Sequence, residues 1–204
     1  MKTNDERVQD ILNRLDQLTY IRPEEIPNID LYMDQVTTFM DEHLSDIKRY
    51  PDDKVLTKTM INNYAKNNLL PAPNRKKYSK EHMLLLIFIY YFKNLLSFND
   101  IEQLFRPITE KHFSNPDNLP LEDIYREVFS LESAEMTRLK EDVTAKYKAA
   151  SQTFSDKEMD ENDREYLRLF AWLCQLSFDI YLKKQMLEQV IDQLRSEDPK
   201  KRNN

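Results

Sequence analysis

The 204-residue chain contains no glycine. Glycine supplies left-handed backbone and close approach, so its absence argues against tight hairpins, doubly wound nucleotide folds and phosphate-cradling loops. Dinucleotide and P-loop fingerprints, which require glycines, are excluded outright. A single cysteine, Cys174, rules out an internal disulfide and any cysteine-based zinc cluster. It sits in the apolar run from Phe170 to Leu176, where a small buried hydrophobe is expected rather than a reactive thiol. The three histidines, His43, His82 and His112, are far apart and never in His-Glu-x-x-His spacing. No metal and no cofactor are therefore expected. The longest apolar run, Met83 to Phe92, is ten residues, too short to cross a bilayer. The charged segment from Met1 to Arg7 lacks the apolar core of a secretion signal. A cytoplasmic protein without a membrane partner is the expectation.

One further absence is local. Between Lys54 and Lys80 there is no Asp or Glu, while Lys54, Lys58, Lys66, Arg75, Lys76, Lys77 and Lys80 contribute seven positive charges. The whole chain has a formal charge of -6, so the remaining residues carry -13, from 23 basic and 36 acidic side chains. A basic island in an acidic chain points to a surface for a phosphate backbone or another anionic partner. The distant acids do not cancel it, because the Debye length at physiological salt is about 8 Å.

Hydrophobic periodicity predicts helices throughout, so the fold class is all-α with room for one small wing. A first helix is expected over 4–18, followed by a proline-broken linker to residue 27. A second helix, capped by Asn28 or Asp30, buries Ile29, Tyr32, Val36, Phe39, Met40, Leu44 and Ile47. Thr57 caps a short third helix through Asn67, with Met60, Ile61 and Tyr64 inward. An extended, proline-containing connection over 69–78 leads to a helix capped by Ser79 and apolar nearly all round. Ser97 opens another helix through a capping box with Asp100, and Pro107 is expected to end it. Residues 108–119 read as a domain boundary. One long helix from Pro120 to Ala150 and a last helix capped by Ser155 follow, then a polar tail over 196–204 expected to be disordered. The expected domains are 1–27, 28–107, 120–195 and the tail.

Between Leu56 and Leu104 the motifs resemble the DNA-binding domain of MerR-type transcription regulators. That family has a Ser- or Thr-capped recognition helix with a tyrosine pair, then a Gly-Leu-Leu-x-Pro turn into a wing. Arg-x-Tyr-Ser and Gly-Phe-Ser-Leu-x-Glu-Ile motifs open its next two helices. Here Thr57 matches the cap, Tyr64 the second tyrosine and Asn68-Leu69-Leu70-Pro71 the turn. Lys76-Lys77-Tyr78-Ser79 and Leu96-Ser97-Phe98-Asn99-Asp100-Ile101 match the later motifs. Asn in the glycine position is physically sensible, since Asn tolerates left-handed backbone. The stretch from Ile29 to Pro107 also resembles a bacterial domain-of-unknown-function family (1836) related to MerR-type proteins. The departures are Asn63 for the first tyrosine, Thr59 and Asn62 at basic positions, and a shorter wing with Asn74-Arg75 in place of Gly-Tyr.

The resemblance implies a winged helix-turn-helix bound to double-stranded DNA, with residues 57–67 in the major groove and 71–78 as a short basic wing. Asn62, Asn63 and Thr59 face base edges, where an Asn amide pairs with adenine. Lys54, Lys58 and Lys66 meet phosphate, and Arg75, Lys76, Lys77 and Tyr78 form the wing contacts. Thr57 caps the helix and leaves its N–H groups toward phosphate. Tyr64 is ambiguous, its ring expected to pack under the helix while its hydroxyl reaches a phosphate. A homodimer through the C-terminal helices is expected, because one short recognition helix reads too few base pairs. A small-molecule effector is a further expectation. The aromatic set Phe129, Tyr147, Tyr166, Phe170, Trp172, Phe178 and Tyr181 is open between lining its pocket and, at helical spacing, packing a core. The competing expectation is a protein–protein interaction module that kept this scaffold and lost DNA binding. No nucleophile–base pair or metal motif supports an enzyme, so no catalytic residue is assigned.

Overall fold

The computed structural model of the chain describes residues 2–197. It is mostly helical, with eight α-helices and one two-stranded sheet among the described residues. The residues divide into two compact units, one of residues 20–129 with 187–197, the other of residues 2–19 with 130–186.

The first unit is organised around α4 (Lys80–Phe92), in which His82 through Ile89 are all buried. Each large apolar side chain so placed contributes about 1.5–3 kcal/mol, which makes α4 the core of the unit. Its capping box is closed by a histidine: the Ser79 N–H donates to His82 Nδ1 at 3.0 Å. Around α4 lie α2 (Met33–His43), α3 (Lys58–Lys66), α5 (Phe98–His112) and α6 (Leu121–Ser130), with Ile191 from the last helix joining the same core.

The chain differs from the sequence expectation at the start of α2. Residues 28–32 are not helical. Leu31–Tyr32 form β1, antiparallel to β2 (Lys77–Tyr78), with Leu31 opposite Tyr78 and Tyr32 opposite Lys77. The helix starts only at Met33, where the Gln35 side chain accepts from the Tyr32 N–H at 2.9 Å. Ile29 and Tyr32, expected to be buried, are exposed.

Pro107 does not end α5. The helix runs on to His112 although the ring removes one backbone bond, at a cost of about 3 kcal/mol. Ile108 packs on the core beyond it, and the Thr109 hydroxyl donates to the Phe105 and Arg106 carbonyls at 3.2 and 3.1 Å. The box opening α5 is as expected: Ser97 Oγ accepts from the Asp100 N–H, and Asp100 accepts from the Ser97 N–H, both at 3.2 Å. Arg195 adds a 2.8 Å bond to the same carboxylate.

The second unit packs α1 (Asn4–Leu15), α7 (Glu132–Ser151) and the first two-thirds of α8 (Glu161–Glu197) around Val8, Val143, Ala150 and Trp172. Asn4 donates to the Glu165 carbonyl at 2.9 Å, and the Tyr147 hydroxyl donates to Asp5 at 2.6 Å. The expected single helix over 120–150 is two helices, broken at Leu131. Ser155 does not cap the last helix, because its hydroxyl donates back to the Gln152 carbonyl at 2.9 Å. Phe154 turns the chain with a left-handed φ of 60°, and Asp160 takes the capping role, accepting from the Asn162 N–H at 2.8 Å. Arg164 and Arg168 hold that turn by donating to the carbonyls of Lys157 and Thr153 at 2.9 and 3.2 Å. Helix α8 continues through Ser196 and Glu197; the remainder of the expected tail, from Asp198, lies outside the described residues. Among the described residues no helix is long and apolar enough to cross a membrane.

Candidate nucleic-acid interface

Helix α3 forms where the apolar spacing and the cap place it. Thr57 Oγ1 accepts from the Met60 N–H at 3.2 Å, satisfying one of the free donors at the helix start. Ile61 and Tyr64 are buried, while Lys58, Thr59, Asn62, Asn63 and Lys66 are exposed at three- and four-residue spacing. Asn68 closes the helix with φ 61°, the left-handed conformation for which a glycine is ordinarily chosen. The Leu69 and Leu70 N–H groups then turn back to the Tyr64 carbonyl at 2.9 and 3.1 Å.

The wing corrects the expectation that a chain without glycine avoids tight hairpins. The Lys77 N–H donates to the Asn74 carbonyl at 2.9 Å, and Arg75 and Lys76 between them have φ of 47° and 66°. Two consecutive positive φ angles are the signature of a type I′ hairpin turn, whose central residues are usually Asn and Gly. Left-handed backbone costs an ordinary residue about 1–2 kcal/mol. Burial of Leu31 and Tyr78, paired across the ladder beside the turn, offsets that cost. Two exposed positions at the tip of the wing are thus occupied by cations at a conformational expense that glycine would remove.

The basic island does not behave as one set. Lys58 forms an ion pair with Asp34 of α2, and Lys80 pairs with Glu122 at 2.8 Å. The Lys80 ammonium, and after it Arg126, holds the Glu122 carboxyl below its ordinary range. Among the described residues Lys54, Lys66, Arg75, Lys76 and Lys77 have no carboxylate partner within ion-pair distance. Lys77 instead lies over the Tyr32 ring, 5.0 Å from its centroid. Lys54 and Lys58 line a groove of about 430 Å3 together with Thr57, Asp41 and Glu42. A hydrogen bond from Lys48 keeps the Asp41 carboxyl low, so that groove stays negatively charged on its α2 side.

Tyr64 and Tyr78 are core residues. Both are under one-tenth exposed, and burial pushes both phenols above their ordinary value. Tyr64 packs 6.2 Å from the Phe98 ring and Tyr78 edge-on to His82 at 5.5 Å. His82 is enclosed between Tyr78 and Phe113, with Nδ1 bound by Ser79. Burial depresses its basicity; the Pro71 and Ala72 carbonyls, Glu81 and Asp30 pull the other way, yet no group reaches Nε2 in hydrogen-bonding geometry.

Sequence reasoning missed Tyr32 and Asp34, the neutral and acidic partners of two of the basic side chains. Neither carries a local signal, since each meets its lysine only through tertiary pairing. Among the described residues no group of His, Cys, Asp or Glu is arranged to hold a metal ion. The aromatic set does not share one place: Phe129 packs in the first unit, Tyr147 and Trp172 meet in the second, and Tyr166, Phe170, Phe178 and Tyr181 are exposed.

No curated protein and no solved structure matches the chain. A family profile matches residues 21–128, further in both directions than the Ile29–Pro107 expected from the motifs and nearly coextensive with the compact stretch 20–129. With more than half of its length matched, from the linker before β1 to the end of α6, the chain belongs to the family described as Domain of unknown function (DUF1836).

Proposed function

We propose that the chain is a DNA-binding transcription regulator whose first unit is a MerR-like winged helix-turn-helix. Helix α3 enters the major groove with Thr59, Asn62 and Asn63 toward base edges. Lys54, Lys58 and Lys66 meet phosphates beside it, and Arg75, Lys76 and Lys77 form the wing contacts that fix register. The protein acts as a homodimer through its C-terminal helices, so that two half-sites are read together. A small-molecule effector bound by the C-terminal region is part of the same proposal.

The observation that carries the proposal is the wing turn. Arg75 and Lys76 occupy left-handed positions, exposed and without a carboxylate partner. Strained backbone is retained where function uses it, and two adjacent cations on a hairpin tip suit a phosphate backbone. The test is a selection from genomic fragments with folded protein at low salt, followed by anisotropy titration of the recovered duplex. Recovery of a shared sequence, lost on reversing charge at Arg75, Lys76 and Lys77, supports the proposal; failure to retain any duplex contradicts it.

A second reading has its own support. Lys58 is engaged by Asp34, and Asp41 and Glu42 face Lys54 across the groove. A mixed-charge groove of this kind suits a protein partner, in which case the scaffold serves as an interaction module and duplex is not retained.

A further inference from the structure

We propose that protonation of His82 releases the wing. The neutral imidazole fixes the chain at Ser79, directly after β2, and the imidazolium lets it go. The switch works whether or not the wing meets duplex.

A capping box needs an acceptor at the third helical position, ordinarily Glu or Gln. In α4 that position is His82, whose Nδ1 accepts from the Ser79 N–H at 3.0 Å, with Ser79 Oγ 2.8 Å away. A backbone N–H can only donate, so Nδ1 is bare and Nε2 carries the one ring proton. The residue is 4% exposed, and among the described residues Nε2 has no hydrogen-bond partner. A second proton therefore sets one N–H against another at Nδ1 and leaves the charged ring without an acceptor at Nε2. Burying a charge in that state is costly, and the ring finds acceptors for both protons by swinging out to water. Glu or Gln would accept at any pH near neutral, whereas histidine changes charge between pH 5 and 8.

The groups around the ring do not rescue the charge. Tyr78 of β2 and Phe113, the residue after α5, meet it edge-on at 5.5 and 4.7 Å. Glu81 on α4, Asp30 before β1 and the Pro71 and Ala72 carbonyls favour the imidazolium, yet burial outweighs all four. The Glu81 carboxylate is already engaged by the Ser114 N–H and hydroxyl, at 2.9 and 2.8 Å. His112, at the end of α5, is bound to the Leu119 carbonyl at 2.9 Å. Lys77 on β2 and Lys80 on α4 bring no counter-charge.

The release falls on the wing because the wing has little else to hold it. Its ladder is two residues long, and Tyr78 packs on the same imidazole. Arg75 and Lys76 hold left-handed backbone at about 1–2 kcal/mol each. Once the ring leaves, Ser79 loses its cap, Tyr78 loses a neighbour and the strained turn opens. Arg75, Lys76 and Lys77 are then no longer presented in one geometry. An anionic partner is held less tightly at low pH, against the ordinary gain from added histidine charge.

The test is amide hydrogen exchange of the full chain between pH 7.5 and 5.5, each rate divided by the intrinsic rate at that pH. Relative exchange at Lys77 and Ser79 is expected to rise several-fold, to a ceiling of about tenfold for one proton bound at the ordinary 6.5 in the open form. The amides of Leu84 to Ile89 stay protected. In His82→Gln, whose side chain still accepts from Ser79, the rise is absent. Should that variant misfold, the parent protein decides: the His82 ring signal and the Lys77 and Ser79 amide signals are expected to titrate with one midpoint, below 6.5. No rise in the parent, a rise that persists in folded His82→Gln, core amides released together with the wing, or a ring that titrates while the wing signals stay still overturns the inference.

Discussion

Lys77 lies across the β-ladder from Tyr32, with its ammonium 5.0 Å from the ring centroid. The pair joins the strand that leads into α2 to the strand that follows the wing turn. A cation over a half-exposed ring contributes about 0.5–1 kcal/mol. Tyr32→Ala is expected to lower the unfolding free energy by that amount in a denaturant titration. Tyr32→Phe keeps the ring and is expected to leave the midpoint unchanged.

Glycine at the wing tip separates stability from binding. Arg75→Gly and Lys76→Gly remove the left-handed penalty, and each is expected to stabilise the fold by about 1 kcal/mol. Each also removes one proposed phosphate contact and is expected to weaken duplex binding. Thermal unfolding and anisotropy on the same variants are expected to move in opposite directions.

That turn also shows what the sequence could and could not disclose. Thr57, the inward pair Ile61 and Tyr64, and the outward polar face of α3 are written in local spacing, and the helix forms within a residue of its expected ends. Strand β1 is two residues long, so an alternation of period two has no room to appear; Leu31 and Tyr32 read equally well as the first turn of a helix. The hairpin is obscured because its turn uses Arg and Lys where the usual signal is Asn-Gly. Pro107 and Leu131 mislead in opposite senses. A helix survives its proline because Ile108 and Thr109 hold the far side, and an unbroken apolar pattern conceals a break that no local residue marks.

His82 predicts a pH dependence. Burial lowers its pKa in the folded protein below the ordinary 6.5, so near and below that pH the unfolded chain binds the proton more tightly. Its contribution to stability is complete above about 6.5 and is lost as pH falls from there through the folded-state value. His82→Gln retains an acceptor for the Ser79 N–H and does not titrate. In that variant the loss of unfolding free energy just below pH 6.5 is expected to flatten, measured by denaturant titration across pH 7.5 to 5.

Tyr125 closes the core of the first unit. Its hydroxyl donates to the Ile21 carbonyl at 2.7 Å in a fully buried setting, while its ring packs 4.3 Å from Phe129. Tyr125→Phe keeps the packing and leaves the carbonyl without that donor, at an expected cost of about 1–3 kcal/mol. Chemical denaturation measures it directly, and an unchanged midpoint contradicts the assignment.

Asp34 holds Lys58 in an ion pair, which under the proposed DNA-binding reading competes with phosphate. Exposed pairs of this kind contribute about 0.2–1 kcal/mol, so Asp34→Asn is expected to tighten duplex binding by about 1.4- to fivefold. A protein-interaction module predicts the reverse, because the mixed-charge groove is then part of the partner's contact.

The salt dependence of duplex affinity bears most directly on the central proposal. With phosphate contacts from Lys54, Lys58, Lys66, Arg75, Lys76 and Lys77 in each protomer, log affinity is expected to fall against log salt with a slope, counted per half-site, of about -5, at about -0.9 per contact. Reversing charge at Arg75, Lys76 and Lys77 is expected to abolish measurable binding, and replacing the same three by Gln to reduce the slope to about -2.7. A duplex bound with a slope that the three Gln substitutions leave unchanged, or no duplex bound at low salt, contradicts the account.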